Sequence, residues 1–119
     1  MPAAVELRLK RAEKRLLVRF DTGETFDLPA EYLRVESPSA EVQGHHPSQK
    51  TIVPGKAAVE ILRVEPVGHY AVRLGFDDMH ETGIYAWDYL RELGEQGEEK
   101  MRAYVAALAE KGLSRERKR

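Results

Sequence analysis

Four histidines are the residues of this chain best suited to acid–base chemistry or metal binding. His45 and His46 are adjacent, and adjacent side chains on an extended chain point to opposite sides, so the two rarely bind one ion together. His80 follows two carboxylates, Asp77 and Asp78, which would supply oxygen ligands or raise the pKa of its imidazole. Because Asp stabilises turns by bonding its own backbone, the pattern favours a structural turn over partner binding and over metal ligation.

The absence of cysteine narrows the chemistry further. It excludes disulfides, thiolate metal sites, cysteine nucleophiles and iron–sulfur ligation by this chain. No Gly-x-Ser-x-Gly motif is present, so Ser37 and Ser39 are interpreted as loop hydroxyls that bond backbone amides. The segment Pro54-Gly55-Lys56-Ala57 lacks the upstream glycine and the following Ser or Thr of a phosphate-binding loop, which disfavours nucleotide binding.

Trp87 lies between two tyrosines and is a candidate for stacking on a ligand. Aromatic residues that open an amphipathic helix against a sheet are more often part of the core. The pattern therefore favours a core role for Trp87, with ligand stacking as the alternative.

Length and charge indicate one small folded unit. The 119 residues carry 42% hydrophobic side chains, enough for one modest core. With 19 basic and 20 acidic residues the formal charge is −1, so no overall field attracts nucleic acid or an anionic membrane. No stretch approaches the roughly 20 apolar residues of a membrane span. We expect one domain over residues 1–113, a basic, frayed tail over residues 114–119, and a cytoplasmic location.

Segments with a period of two predict an α+β fold with a mainly antiparallel sheet of about five strands. The predicted strands are residues 5–9, 16–20, 25–28, 58–64 and 70–76. The first three form a meander, and the last two form a hairpin that turns at residues 66–68. The inner face of the hairpin is expected to join the meander.

Three helices are predicted beside this sheet. Pro29 favours one or two helical turns over residues 29–35. A short helix over residues 87–93 is predicted to end at Gly94, a typical C-terminal cap. Apolar residues at spacings of three and four predict a longer amphipathic helix that Gly112 closes. These residues are Met101, Tyr104, Val105 and Leu108.

Residues 36–56 show no sustained periodicity and are interrupted by prolines and glycines, which predicts a long loop. Loops of more than about 12 to 15 residues are uncommon in compact domains and are usually functional or disordered. We therefore regard this loop as the first place to look for a function, with a mobile linker as the alternative.

Three segments of the chain are informative in combination: LRVESPSAEVQGH at residues 33–45, VGHYAV at residues 67–72 and FDDMHETGIYAWDYL at residues 76–90. Together they resemble the γ-butyrobetaine hydroxylase-like N-terminal domain family, which in bacteria also occurs as a stand-alone domain of unknown function. The resemblance covers roughly residues 5–94, and the combination of the three segments is more specific than any one of them.

In the eukaryotic hydroxylases the resembled domain is a small zinc module, with ligands spaced Cys-Pro-Cys-x-x-Cys and one distant histidine. The matching positions in this chain are Ser37, Ser39, Val42 and His80. Only His80 keeps a ligand type and valine cannot coordinate, so no bound metal is expected. The hydroxylase active site belongs to a separate oxygenase domain with a His-x-Asp…His iron triad, for which this chain has neither the length nor the motif.

Similar domains are also fused to P-loop ATPases that carry iron–sulfur clusters, and this implies an accessory role in cluster delivery. The leading hypothesis is a non-catalytic module that binds another protein, an iron–sulfur carrier or an oxygenase, and that uses no cofactor, nucleic acid or membrane. One alternative is a zinc-binding domain that uses His80 with the loop histidines and Asp78. The other is a small enzyme that acts through His80 and Asp77.

The candidate binding surface combines the loop of residues 37–49 with the turn of residues 77–80. Its members are Ser37, Ser39, His45, His46, Asp77, Asp78, His80 and Trp87. The zinc of the resembled domain joins the loop and the turn, so the fold is expected to keep them adjacent without the metal. Hydrogen bonds among hydroxyls, carboxylates and the imidazole would then hold the loop.

Overall fold

Two short antiparallel sheets form the framework of the protein. The computed structural model describes residues 3–44 and 46–116. The first sheet contains, in spatial order, β1 (Ala4–Lys10), β2 (Arg15–Phe20) and β3 (Thr25–Pro29). The second contains β4 (Ile61–Val67), β5 (Ala71–Phe76) and β6 (Gly83–Ala86), again in spatial order. Each neighbouring pair is antiparallel, as tight turns between consecutive strands require.

The alternation of side chains in β2 shows why the sheets have an inner and an outer face. Leu16, Val18 and Phe20 are at most 1% exposed, whereas the intervening residues are half-buried or exposed. Gly23 closes the turn into β3 with a φ of 94°, a conformation that glycine adopts without steric cost. Inner-face residues of both sheets join a single buried cluster, which the helices complete. This shared core fixes the two sheets against one another.

The helices lie at the ends of the strands. They are α1 (Ala30–Val35), α2 (Ala40–Gln43), a 3₁₀ turn (Pro47–Gln49), α3 (Trp87–Glu95) and α4 (Gly97–Glu110). Leu90 and Leu93 of α3 are fully buried in the shared core, and Tyr104 and Leu108 of α4 pack in a second, smaller cluster. In the described part of the chain, no helix combines the length and the apolar character that crossing a bilayer requires.

The C-terminal residues 113–116, here called the C-terminal strap, fold back onto the loop before β4. The Ser114 and Arg115 carbonyls accept hydrogen bonds from the N–H groups of Gly55 (2.9 Å) and Ala57 (3.0 Å). The Arg115 guanidinium also forms two hydrogen bonds with the carboxylate of Glu31, which is buried. These contacts involve the first two residues of the segment that is expected to fray, and residues 117–119 lie outside the described range.

The α+β class, the antiparallel pairing and the long C-terminal helix are confirmed, with two differences in the sheets. The predicted second hairpin does not join the meander but pairs with β6 to make its own sheet. That strand was not predicted, because its four residues directly precede a helix and are too few to show a period. The hairpin turns at residues 68–70 rather than 66–68, since β4 continues to Val67.

Gly94 is the clearest error among the predicted helix boundaries. It lies inside α3, which continues to Glu95, and does not cap it. A Cβ atom at this position would lie 2.5 to 2.7 Å from three ring carbons of Phe26. The glycine therefore makes room for an aromatic ring of the first sheet, a long-range reason that the local cap pattern cannot reveal.

Candidate functional site

The long loop and the turn between β5 and β6 meet, as expected from the sequence. The turn is closed by hydrogen bonds from Phe76 N–H to the His80 carbonyl (2.9 Å) and from Met79 N–H to the Phe76 carbonyl (3.2 Å). The Asp78 carboxylate accepts the backbone N–H of His80 at 3.2 Å. This turn directs the imidazole of His80 inward, to the residues that follow α1.

His80 is the centre of a polar group that we call the His80 cluster, formed with the buried Ser37 and Ser39 and with Glu41, whose side chain is 65% exposed. Its Nε2 lies 2.8 Å from Ser37 Oγ and 3.3 Å from Ser39 Oγ. Its Nδ1 lies 3.5 Å from a carboxylate oxygen of Glu41. A proton on Nδ1 facing the carboxylate leaves Nε2 to accept the Ser37 hydroxyl, and this assignment satisfies both ring nitrogens. The side chain of His80 is only 3% exposed.

Burial sets the protonation of His80. Loss of solvent and then the nearby positive charge of Arg34 lower the pKa of the imidazole, and the carboxylates of Glu41 and Asp78 only partly offset them. The net pKa lies below the ordinary value of 6.5. A neutral imidazole is therefore the form present near pH 7, consistent with the hydrogen bonds assigned above.

Asp78 forms a second polar centre beside the cluster. Its Oδ2 accepts hydrogen bonds from Arg34 Nε at 2.7 Å and from Lys56 Nζ at 2.6 Å. Burial by itself raises the pKa of Asp78, but the hydrogen bonds from Lys56 and Arg34 together hold it below its usual range. One carboxylate thus joins α1, the loop before β4 and the turn after β5.

The other predicted site residues do not join the His80 cluster. Asp77 exchanges two hydrogen bonds with the backbone of Glu60, through its own N–H (2.9 Å) and its Oδ1 (3.2 Å). Its role in the structure is to fasten the segment before β4. His46 is exposed, and His45 lies outside the described residues.

Trp87 lies at the opposite end of the second sheet from His80. Its indole N–H donates to the His69 carbonyl at 2.8 Å, and its backbone N–H donates to the Tyr70 carbonyl at 3.1 Å. Tyr70 precedes β5 and His80 follows it, so the length of β5, roughly 16 Å, separates the two sites. The half-buried indole packs against the core, which agrees with the interpretation favoured by its sequence context.

Four residues essential to the geometry were not singled out from the sequence: Arg34, Glu41, Lys56 and Gly83. Arg34 and Lys56 reach Asp78 over 44 and 22 positions of chain, a pairing that no local pattern signals. Gly83 is required because a Cβ there would lie 2.6 Å from Ser37 Oγ. The segment containing Gly83 was part of the family resemblance, which was the only available signal.

The order Ser37, His80, Glu41 matches the hydrogen-bond order of a nucleophile, its base and an orienting acid. Access decides against that chemistry, because Ser37 is 0% exposed and no substrate carbonyl can approach its hydroxyl. Asp77, the partner of His80 in the enzyme hypothesis, bonds Glu60 instead. The arrangement therefore supports a structural use of these residues.

The same positions do not fit zinc. Ser37 and Ser39 offer neutral hydroxyls, Val42 has no donor atom and is 2% exposed, and only His80 presents a usual zinc ligand. Over residues 3–44 and 46–116, no group of three or more His, Asp or Glu side chains could hold a metal ion. The hydrogen bonds between the two serines and His80 occupy the place that the resemblance assigns to the metal.

With the geometry established, comparison with known proteins identifies the family. A model of the family described as γ-butyrobetaine hydroxylase-like, N-terminal, matches residues 7–91. The chain belongs to this family. The match ends within α3, so α4 and the C-terminal strap lie beyond the matched part of this family member. No curated protein matches the chain.

Solved structures similar to this γ-butyrobetaine hydroxylase-like N-terminal domain protein include two determined by NMR in solution. Both are 43% identical with a TM-score of 0.85; one match covers 100% of this chain and 94% of the other, and the second covers 98% and 87%. A crystal structure of a DUF971-family protein of unknown function from Acidithiobacillus ferrooxidans is 41% identical, with a TM-score of 0.65. That match covers 77% of this chain and 92% of the other.

Proposed function

We propose that this protein is a non-catalytic accessory module that binds another protein through the turn of residues 77–80 and the adjoining loop. One observation carries the proposal: the side chains on either side of Met79 are largely buried and hydrogen-bonded, Asp78 to Arg34 and Lys56 and His80 to Ser37, whereas Met79 itself is 87% exposed. Asp78 and His80 therefore position the turn, and Met79 is the apolar side chain of the turn that a partner can reach.

The backbone of Met79 supports this interpretation. Its φ of 70° lies in the left-handed region, which a bulky residue other than glycine seldom occupies. Such strain persists only where the surroundings determine it, and it occurs often at binding sites. Here the surroundings are Asp78, held by two cations, and His80, held by two hydroxyls. A flexible, polarizable methionine side chain on a rigid turn suits contact with an apolar protein surface.

The family association points to the class of partner. Similar domains occur beside iron–sulfur carriers and oxygenases, and this chain has no cysteine with which to hold a cluster. The proposal is therefore that the partner supplies the metal chemistry and that this module, acting in the cytoplasm, supplies a docking surface.

Site-specific photo-crosslinking in the native host tests the proposal. A benzophenone amino acid replaces Met79 in one variant and Val105 of α4 in a matched variant, because Val105 is another exposed apolar residue (43%). We expect a covalent adduct with one protein at position 79 and none with that protein at position 105. Equal adducts at both positions, or no adduct at position 79, would contradict the proposed function.

A substitution in the loop gives a second readout. His46 is exposed, so His46→Ala should leave the melting temperature unchanged within error. If the loop belongs to the docking surface, the same substitution reduces the yield of the adduct formed at position 79. An unchanged yield would remove His46 from the surface.

A further inference from the structure

A cavity of about 470 Å³ is lined in part by Asp77 and Asp78 of the turn. The loop before β4 and the C-terminal strap supply the rest of the lining: Pro54, Gly55, Lys56, Ala58, Val59, Leu113, Ser114 and Glu116. The volume lies in the range of ordinary small-ligand and side-chain pockets. Part of the pocket lies beyond the family match, because the match ends at residue 91.

The lining combines an aliphatic interior with a net negative charge. Pro54, Val59 and Leu113 supply apolar surface. The charged residues of the lining are Lys56, Asp77, Asp78 and Glu116, one cation against three carboxylates. The cation is already paired, since Lys56 Nζ lies 2.6 Å from Asp78.

Two carboxylates of the pocket are left for an occupant. Among the described residues, neither Asp77 nor Glu116 takes part in an ion pair, and both residues are exposed. The basic neighbour of Glu116, Arg115, is bound to Glu31 instead. These two carboxylates would repel an anionic occupant and attract a cationic one.

We propose that this cavity receives a basic side chain, lysine or arginine, presented by the protein partner. The aliphatic stem of such a side chain would pack on Pro54, Val59 and Leu113, and its charged end would lie between Asp77 and Glu116, as amphipathic side chains do when the head stays near water. This inference rests on the proposed function, because it names the chemistry by which the same partner is recognised.

Titration of the ¹⁵N-labelled protein with short peptides tests the pocket without an identified partner. The probe is acetyl-Gly-Lys-Gly-amide, and the matched peptides carry norleucine or glutamate in place of lysine. We expect the lysine peptide to shift the amide signals of Val59, Asp77 and Leu113 with a Kd on the order of 1 mM, as small ligands of this size allow. The norleucine peptide should bind more weakly, and the glutamate peptide should not bind.

Isosteric variants locate the charge. Asp77→Asn keeps the oxygen that accepts the Glu60 N–H, so the turn is preserved while the charge is lost. Asp77→Asn and Glu116→Gln should each weaken binding of the lysine peptide about two- to fivefold, the size expected for one exposed ion pair. Glu99→Gln on the exposed face of α4 is the control and should leave the Kd unchanged.

Each remaining outcome overturns the inference. Equal binding of the norleucine peptide would make the pocket an apolar groove without charge selection, and preferential binding of the glutamate peptide would make Lys56 the recognition element. If none of the three peptides shifts the amide signals, the cavity does not bind a basic side chain. If crosslinking at position 79 succeeds while the lysine peptide fails, the protein-binding function stands and only the pocket is lost.

Discussion

Replacing His80 by alanine should destabilise the protein by about 2 to 3 kcal/mol, because the substitution leaves two buried hydroxyls without their shared acceptor. Ser37 is 0% and Ser39 8% exposed, so water cannot readily take the place of the imidazole. An unpaired buried polar group costs about 1 to 3 kcal/mol. The two hydroxyls lie 3.3 Å apart and can still pair with one another, which keeps the total below the sum of two full penalties.

The assay is urea denaturation at pH 7.5, followed by circular dichroism and analysed by linear extrapolation. For a domain of this size the expected loss corresponds to a fall in melting temperature of about 8 to 12 °C. The matched control is His69→Ala, an identical substitution in an exposed turn, where the hydrogen bond from Trp87 goes to the backbone carbonyl and survives. This control should change stability by less than about 0.5 kcal/mol.

The His80→Ala and His69→Ala variants together test whether the His80 cluster stabilises the fold. If His80→Ala and His69→Ala unfold at the same urea concentration, the His80 cluster does not hold the loop to the turn. The interpretation of the buried hydroxyls as replacements for a metal would then fail, and with it the structural argument for the rigid turn beneath Met79.

Three further predictions concern pH, packing and metal content. The pKa of His80 is lower in the folded protein than its unfolded value of 6.5. As the pH drops, the unfolded chain therefore binds a proton at His80 before the folded protein does. The free energy of unfolding should decrease as the pH falls from about 6.5 until the folded pKa is passed. Urea titrations at several pH values should show this slope, and His80→Ala should flatten it. At an unobstructed helix position, replacing glycine by alanine would stabilise the protein by about 1 kcal/mol. Gly94→Ala should instead destabilise it by about 1 to 3 kcal/mol, because the new methyl group would clash with the ring of Phe26. Adding Phe26→Leu in a double mutant should restore part of the lost stability. Protein purified without an affinity tag should contain less than about one tenth equivalent of zinc, because one histidine cannot supply four ligands, and stoichiometric zinc by elemental analysis would contradict this.

The strands and helices that carry a long periodic pattern were predictable from the sequence. β2 alternates over six residues, and α4 repeats its apolar positions over three turns, so local sequence alone indicates their type. The four-residue β6 has no room for a period, and the place of Gly94 depends on a ring from a distant strand. The division of the strands into two sheets likewise depends on contacts between residues that are distant in sequence, so a local sequence pattern does not predict it.

Part of the candidate site was likewise predictable from the sequence, and part of it was not. The proximity of Ser37, Ser39 and His80 was predictable only because the family resemblance linked their positions, which lie more than 40 residues apart. The pairing of Arg34 with Asp78 had no such guide. Asp77 and Trp87 were grouped with the cluster because they are close to it in sequence or in the family motif, and their hydrogen bonds show them serving other parts of the fold.

The long loop has a consequence for how this protein can vary. Tyr89 and Tyr104 donate hydrogen bonds to the carbonyls of Glu36 and Val53, so helices α3 and α4 hold the loop near both of its ends. Within it, the Thr51 N–H bonds the Val42 carbonyl at 2.7 Å and closes off the eight positions between them.

Lengthening a loop whose ends are already fixed is cheap, since doubling its length costs only about 0.6 kcal/mol of closure entropy. The eight positions between Val42 and Thr51 can therefore accept insertions with little loss of stability, provided that the pairing of Lys50 with Glu36 and the hydrogen bond from Gln43 Nε2 to the Ser37 carbonyl are kept. Such insertions would change the loop tip of this chain while the two tyrosine contacts and the buried Ser37 and Ser39 stay in place.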